Sequence, residues 1–169
     1  REIARLALER LIKDGRIQPL RIEQVVTQVR SDMDKILISE GKKICQEVGL
    51  FNLPLDLVKE VGKYKFRFSY GQNLAKHTIE ATKIAVALAN ELHANVNTVR
   101  LAALLHDIGK VISDQEGTHI DLGVNLLRQF KLPSVVIDCV AQHHQDTDFT
   151  SIESIIVYLG DAASGTRPG

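Results

Sequence analysis

Leu104-Leu105-His106-Asp107-Ile108-Gly109-Lys110 is the stretch on which the reading of this chain turns. An apolar helical run ends in an adjacent His and Asp, then a Gly that can stop a helix, then a Lys. Apolar flanks set the pair against a packed interior, where an unpaired carboxylate is costly. Neutral imidazole and carboxylate together suit a divalent cation with nitrogen and oxygen preference, and such an ion offsets that cost. The same residues also describe a His at a helix C-terminus beside an Asp that meets solvent. The surrounding chain has to separate the two readings.

Composition sets the frame. The chain has 169 residues, 44% of them hydrophobic and 25% charged, enough for one globular domain with a core and an appended piece. Its 21 basic and 21 acidic side chains cancel, which excludes a broad cationic footprint and makes any nucleic-acid contact local. Two cysteines, Cys45 and Cys139, make no disulfide framework and fit a reducing compartment. No signal peptide and no run of membrane-spanning length is visible. The chain opens at Arg1 inside a helical pattern and stops at Gly169, so it reads as a piece of something longer.

Working outward, the spacing is helical nearly everywhere. Ile3, Leu6, Ala7, Leu11 and Ile12 mark one face of a helix ended by Gly15. Pro19 opens a long helix to about Val48, whose narrow seam of Ile22, Val25, Val29, Met33, Ile36 and Ile44 has the look of a coiled coil or linker. This seam lacks polar residues, which predicts an arm over 1–48 outside any polar site and able to pair with a second copy as a homodimer. Asn52, before Pro54, starts a short helix through Val61, with Gly62 closing it.

Lys63-Tyr64-Lys65-Phe66-Arg67-Phe68 alternates cation and ring, the period of an extended segment. Lys63, Lys65 and Arg67 are candidate phosphate contacts with stacking rings between them. The same alternation also describes a loop pinned to the core by Tyr64, Phe66 and Phe68, its cations solvated. A helix follows over 72–93, and Asn95 or Asn97 caps the next. Thr118-His119-Ile120-Asp121 and Thr150-Ser151-Ile152-Glu153 resemble capping boxes, and Ser134 starts a helix between them. No strand pattern appears after residue 71.

Polar residues on the inward stripes now separate the readings. His77, His106, Asp107, His119, His143, His144 and Asp161 lie on separate helices where apolar faces meet helix ends or interiors. One such His is an ordinary core residue. Five of the six histidines with two aspartates is a metal site built in a helical bundle. His93 stands apart near a helix C-terminus, and Cys139 reads as a buried thiol.

His77, His106-Asp107 and Asp161 match the signature of the HD-domain metal-dependent phosphohydrolases, with His119 and His143-His144 at the positions of their extra ligands. Ser69-Tyr70-Gly71-Gln72-Asn73, Lys76-His77, Glu116-Gly117-Thr118-His119 and Thr166-Arg167-Pro168-Gly169 are similar to blocks of the ribonuclease Y family. Residues 1–15 resemble the last helix of a KH domain, 16–62 linker helices, and 63–169 the HD domain, truncated at its end. The resemblance implies an all-α HD-domain bundle preceded by a helical arm. It implies a metal-dependent endoribonuclease of mRNA decay and processing, leaving 5′-phosphate and 3′-hydroxyl ends. His77, His106, Asp107 and Asp161 would hold a first divalent ion. Asp107 would bridge to a second held by His119, His143 and His144, or those three would serve the phosphate. His106, Asp107 and Lys110 would be the catalytic group, with Lys110 on the phosphate oxygens or merely solvated. Such mixed ligation favours manganese, iron or zinc, with magnesium the other choice.

Single-stranded RNA and RNA-decay proteins are the partners implied. The implied location is the cytoplasm, with the full-length protein tied to the bacterial membrane by a segment absent here. Two departures from the family stand out: the loop between Lys110 and Glu116 is shorter, and Asp161-Ala162-Ala163 replaces Asp-Ala-Leu. Two rival functions fit parts of the pattern. Against a phosphodiesterase of cyclic nucleotides, His144-Gln145-Asp146-Thr147 is not followed here by the Gly-Tyr-Pro block of the cyclic-di-GMP enzymes, and a non-catalytic metal-binding scaffold has no need of so complete a ligand set.

Overall fold

In the computed structural model, which describes residues 2–69, 71–112 and 115–166, the apolar spacings become helices. Arg1, Tyr70, Ser113, Asp114 and residues 167–169 lie outside the described residues. With them go part of the Ser69–Asn73 block, part of the shortened loop and most of the Thr166–Gly169 block.

Helices α1 (Glu2–Asp14) and α2 (Pro19–Glu47) are joined through Gly15, whose φ of +73° is the left-handed cap that the sequence asks for. Pro19 stands at the start of α2, where its missing N–H costs nothing. The face that α2 buries differs from the expected seam. Val25, Val29, Met33, Leu37, Gly41, Ile44 and Cys45 are buried, while Ile36 is exposed. Val25 and Val29 pack on Ala7 of α1, but Ile44, Cys45 and Val48 join the main core with Leu104, Leu105 and Ile108. The arm therefore stays outside the bundle only in its first half, and its seam is consumed within the chain rather than left for a second copy.

Helix α3 (Leu55–Gly62) runs across α2. A Cβ on Gly41 would stand 1.9 Å from the Val58 carbonyl oxygen, and one on Gly62 1.9 Å from that of Leu37. Gly62 is the last residue of α3, but it closes the helix with helical backbone (φ −60°, ψ −26°); its missing side chain lets two backbones touch, and the chain continues into a 3₁₀ turn over Lys63–Phe66. That turn corrects the extended reading of the basic-aromatic stretch. Tyr64 is wholly buried with its hydroxyl donating to the Leu104 carbonyl at 3.1 Å, whereas Phe66 and Phe68 are exposed. Only one of the three rings pins the segment.

Two short strands, β1 (Phe68–Ser69) and β2 (Gln72–Asn73), pair antiparallel, Phe68 with Asn73 and Ser69 with Gln72. Spacing alone cannot reveal strands of two residues, and the helix expected over 72–93 starts later for this reason. The Asn73 side chain caps α4 (Leu74–Glu91) by accepting from the N–H groups of Ala75 and Lys76. Asn95, not Asn97, caps α5 (Val96–Leu105). The chain then turns through a 3₁₀ segment (Ile108–Val111) into α6 (His119–Gln129), capped by Thr118, and α7 (Ser134–Gln142). Ser151, rather than Thr150, caps α8 (Ile152–Gly165). Glu153 accepts from the Asn95 N–H at 3.0 Å and ties the start of α8 to that of α5.

Helix α4 packs chiefly on α8 and α5. Gly160 makes this possible, since a Cβ there would lie 2.8 Å from the Ala81 carbonyl oxygen. The close approach brings Asp161 on α8 level with His77 on α4. Cys45 and Cys139 are buried free thiols.

Candidate metal centre

Helix ends build most of the site. Helix α5 stops at Leu105, before Gly109, so this glycine does not end it. His106 and Asp107 occupy the break between α5 and the 3₁₀ turn. A Cβ on Gly109 would stand 1.8 Å from the His119 carbonyl oxygen. Absence of a side chain lets the turn touch the start of α6 and brings His119 to Asp107. His143 is the C-terminal cap of α7 and His144 follows it.

The seven expected residues come together in two sets. Nε2 of His77 lies 3.0 Å and Nε2 of His106 3.5 Å from Oδ1 of Asp161, and ligand atoms of all three fall within 4.8 Å of one another. Asp107, His119, His143 and His144 form the second set under the same limit. Asp107 stands between them. Its Oδ2 is 3.7 Å from His77 Nε2 and 3.4 Å from His106 Nε2, while its Oδ1 is 3.9 Å from His119 Nε2 and 3.7 Å from His143 Nε2.

Three histidines are aimed by their other nitrogen. His106 Nδ1 lies 2.8 Å from the Ala103 carbonyl oxygen and His143 Nδ1 2.6 Å from that of Val140, so each Nδ1 carries the proton and donates it. Their Nε2 atoms are left facing the cluster, so loss of any Nε2 proton gives the tautomer that a metal-ligating His takes. His77 Nδ1 sits 3.0 Å from Ser164 Oγ, which lies 3.0 Å from a Glu80 carboxylate oxygen. Ser164 and Glu80 escaped the sequence reading. Their only signal there is spacing, since Glu80 is three after His77 and Ser164 three after Asp161, each on the face of its ligand.

His106, Asp107 and His143 are buried. Among the described residues, four buried side-chain polar atoms have no hydrogen-bond partner: His106 Nε2, His143 Nε2, Asp107 Oδ1 and Thr78 Oγ1. Three of the four belong to this cluster. Buried nitrogen and oxygen atoms without hydrogen-bond partners, converging from the α5 break and the end of α7, fit a divalent cation.

Electrostatics agree. Burial works against charge on His106, but the Asp107 carboxylate overrides it and lifts the imidazole to about 10. Asp107 is itself desolvated, yet His106, His143 and Lys110 hold its carboxyl far below the usual range. Asp161 is also desolvated and is held low by His106 and His77. Desolvation pulls His119 down to about 4 and lowers His144 as well. Nε2 of these two rings is 2.9 Å apart, so one donates to the other. Lys110 is not a solvated cation: its Nζ lies 2.7 Å from Asp107 Oδ2 and its side chain is mostly covered.

The cluster opens into two adjoining clefts that share Ser69, Lys110 and His144. One is lined by His77, Asp107 and Asp161; the other carries Arg67 and His119 on its wall. Lys63 and Lys65 turn elsewhere, toward Glu60 and Glu40.

The family model described as "HD domain" matches residues 74–165, from the first residue of α4 through the last of α8. This chain belongs to the HD-domain family. All seven clustered residues fall inside that HD-domain match; the family implies a divalent metal, and these two clusters could hold one. Along its full length the chain is 49% identical to a protein named Ribonuclease Y from Finegoldia magna, 46% to one from Enterococcus faecalis and 45% to one from Listeria welshimeri. Each match takes in 100% of this chain and 33% of the relative, so the chain spans about a third of their length. No solved structure matches significantly. No helix among the described residues is long and apolar enough to cross a membrane.

Proposed function

We propose that this HD domain is the catalytic part of a metal-dependent endoribonuclease. It hydrolyses RNA phosphodiester bonds in mRNA decay and processing and leaves 5′-phosphate and 3′-hydroxyl ends. The observation that carries the reading is the convergence of two ligand sets on Asp107, with buried lone pairs left open between them. The name shared by the similar proteins supplies the substrate class.

In this reading His77, His106, Asp107 and Asp161 hold a first ion. His119, His143 and His144 hold a second with Asp107, or act on the phosphate when one ion is present. Manganese, iron or zinc suits these donors better than magnesium, which prefers oxygen. Bound there, a divalent ion polarises the phosphoryl group and supplies a nucleophile from water at neutral pH. Lys110, anchored on Asp107, places its charge against the non-bridging oxygens as that charge builds. The His119–His144 pair shares one proton between its Nε2 atoms and, on taking up a second, can protonate the departing 3′ oxygen. Arg67, on the cleft wall, takes a neighbouring phosphate.

The wider reading places the full-length protein in the cytoplasm, tied to the inner face of the bacterial membrane by a segment outside this chain, in company with RNA-decay proteins. With the α2 seam used internally, a homodimer of the arm would rest on the exposed Leu8, Ile12, Ile17 and Leu20.

End-group analysis of a short single-stranded RNA tests the chemistry. Metal-dependent 5′-phosphate and 3′-hydroxyl ends, stopped by chelation and by His106→Ala, are expected. Cyclic 2′,3′-phosphate ends that survive both would overturn the reading.

A further inference from the structure

The β1–β2 hairpin is a wall with two faces. Its Ser69–Gln72 pair lines the metal cleft with His77, Asp107 and Asp161. Its Phe68–Asn73 pair lines a separate groove between α2 and α4, bordered by Lys65, Lys76 and Ile79. Phe68 is 67% exposed there, although Tyr64 already anchors this segment to the core. Arg67, just before it, has extended backbone (φ −107°, ψ 133°) and lines the cleft beside Lys110 and His119. Successive residues thus send a cation toward the reaction centre and a ring to the groove, as side chains on extended backbone must.

Charge on the hairpin points the same way. Among the described residues neither Arg67 nor Lys76 has an ion pair, whereas Glu40 and Glu47 in the groove are paired with Lys43 and Lys83. An open ring flanked by uncommitted cations, astride the rim of a phosphodiester site, is the pattern that binds single strands. Stacking accepts any base because every base has a π-face, and the cations track the backbone. A duplex keeps its bases stacked on each other and cannot offer one to the ring.

We propose that the hairpin is a single-stranded RNA subsite. A base next to the phosphodiester in the cleft stacks on Phe68, Arg67 binds the phosphate on the cleft side, and Lys76 binds the next one along the groove. The subsite rests on the ribonuclease reading for its substrate class.

The chain contains no tryptophan, so Phe68→Trp places a single fluorescent reporter at the subsite. The probe is a short phosphorothioate-linked oligoadenylate, which resists hydrolysis, added to the chain as purified. Single strands should quench the indole emission of that variant, and the matching duplex should not. Phe68→Leu keeps an apolar side chain but cannot stack, and should weaken single-strand binding about tenfold. Arg67→Ala and Lys76→Ala should each weaken binding and lower its salt slope by about one. Absent quenching, equal quenching by duplex, or unaltered binding by Phe68→Leu overturns the subsite. So does a Phe68→Leu variant that loses self-association but not RNA binding, since the ring would then be a protein contact. Hydrolysis of bis(p-nitrophenyl) phosphate by the unaltered, metal-supplemented chain tests the phosphodiesterase reading separately. Quenching without hydrolysis removes the catalysis, and hydrolysis without quenching removes the subsite alone.

Discussion

The two ligand sets meet at one carboxylate yet are built differently. His77, His106 and Asp161 sit on α4, on the α5 break and on α8, and their histidines are tethered through Nδ1 to Ser164 and to the Ala103 carbonyl. In the other set only His143 is tethered in this way, to Val140. His119 is partly exposed and His144 exposed, and each is the other's hydrogen-bond partner. A preformed set loses little entropy on binding, and in it only His106 Nε2 is buried without a hydrogen-bond partner. The looser pair satisfies itself, so an ion or phosphate arriving there must first break the His119–His144 bond. One half of the centre is scaffold and the other is adjustable.

The harshest way to break this contrast is His106→Ala. It should abolish metal retention and hydrolysis while circular dichroism stays helical; retained stoichiometric metal would show that the tethered set is not the primary site. Lys110→Ala comes next. Loss of its charge should lower kcat by roughly 10²–10³-fold, as for other charge-stabilising donors. Removing the ammonium from Asp107 Oδ2 should also tighten metal binding in a titration, and weaker metal binding would contradict the competition. Ser164→Ala should cost about 10–100-fold in metal affinity, the range for a lost partner of a ligating His. A matching effect on the His119–His144 pair, read by nitrogen NMR of its shared proton, would dissolve the distinction between the halves.

The most gradual effect, per pH unit, is that of pH. His106 is held charged up to about 10 in the metal-free chain, so a cation binding to the tethered set must displace its proton. Desolvation keeps His119, pulled down to about 4, neutral above that pH, so it releases none. Affinity at the tethered set should therefore rise about tenfold per pH unit between about pH 7 and 9. Calorimetry in buffers of different ionisation enthalpy should count one proton released, and a flat profile would place the first ion on the other set.

Much of this was legible beforehand because helical periodicity is local. The end of α1 at Gly15, the start of α2 at Pro19 and the Thr118 cap follow from the conformational preferences of single residues. The candidate ligands were legible too, since a His or Asp on an inward stripe violates the apolar pattern around it. Misreadings arose wherever a residue's role lies in another element. Gly62 and Gly109 look like helix stops, but each lacks a side chain because a foreign carbonyl oxygen occupies the place of the Cβ. Ile36 looks like part of a seam whose true line passes through Leu37 and Gly41, because α3 crosses there.

The sequence by itself determined that this chain is helical, that its polar exceptions are residues of the types able to ligate a metal, and where most helices begin. Only the tertiary structure decided that Asp107 stands between two sets, that Ser164 and Glu80 orient His77, and that Lys110 rests on the Asp107 carboxylate. It also decided that the rings of the basic-aromatic stretch part company, Tyr64 into the core and Phe68 into the open. The reason is physical: periodicity and caps are set by neighbours a few residues away, whereas a lone pair's direction is set by the helix that happens to pack behind it.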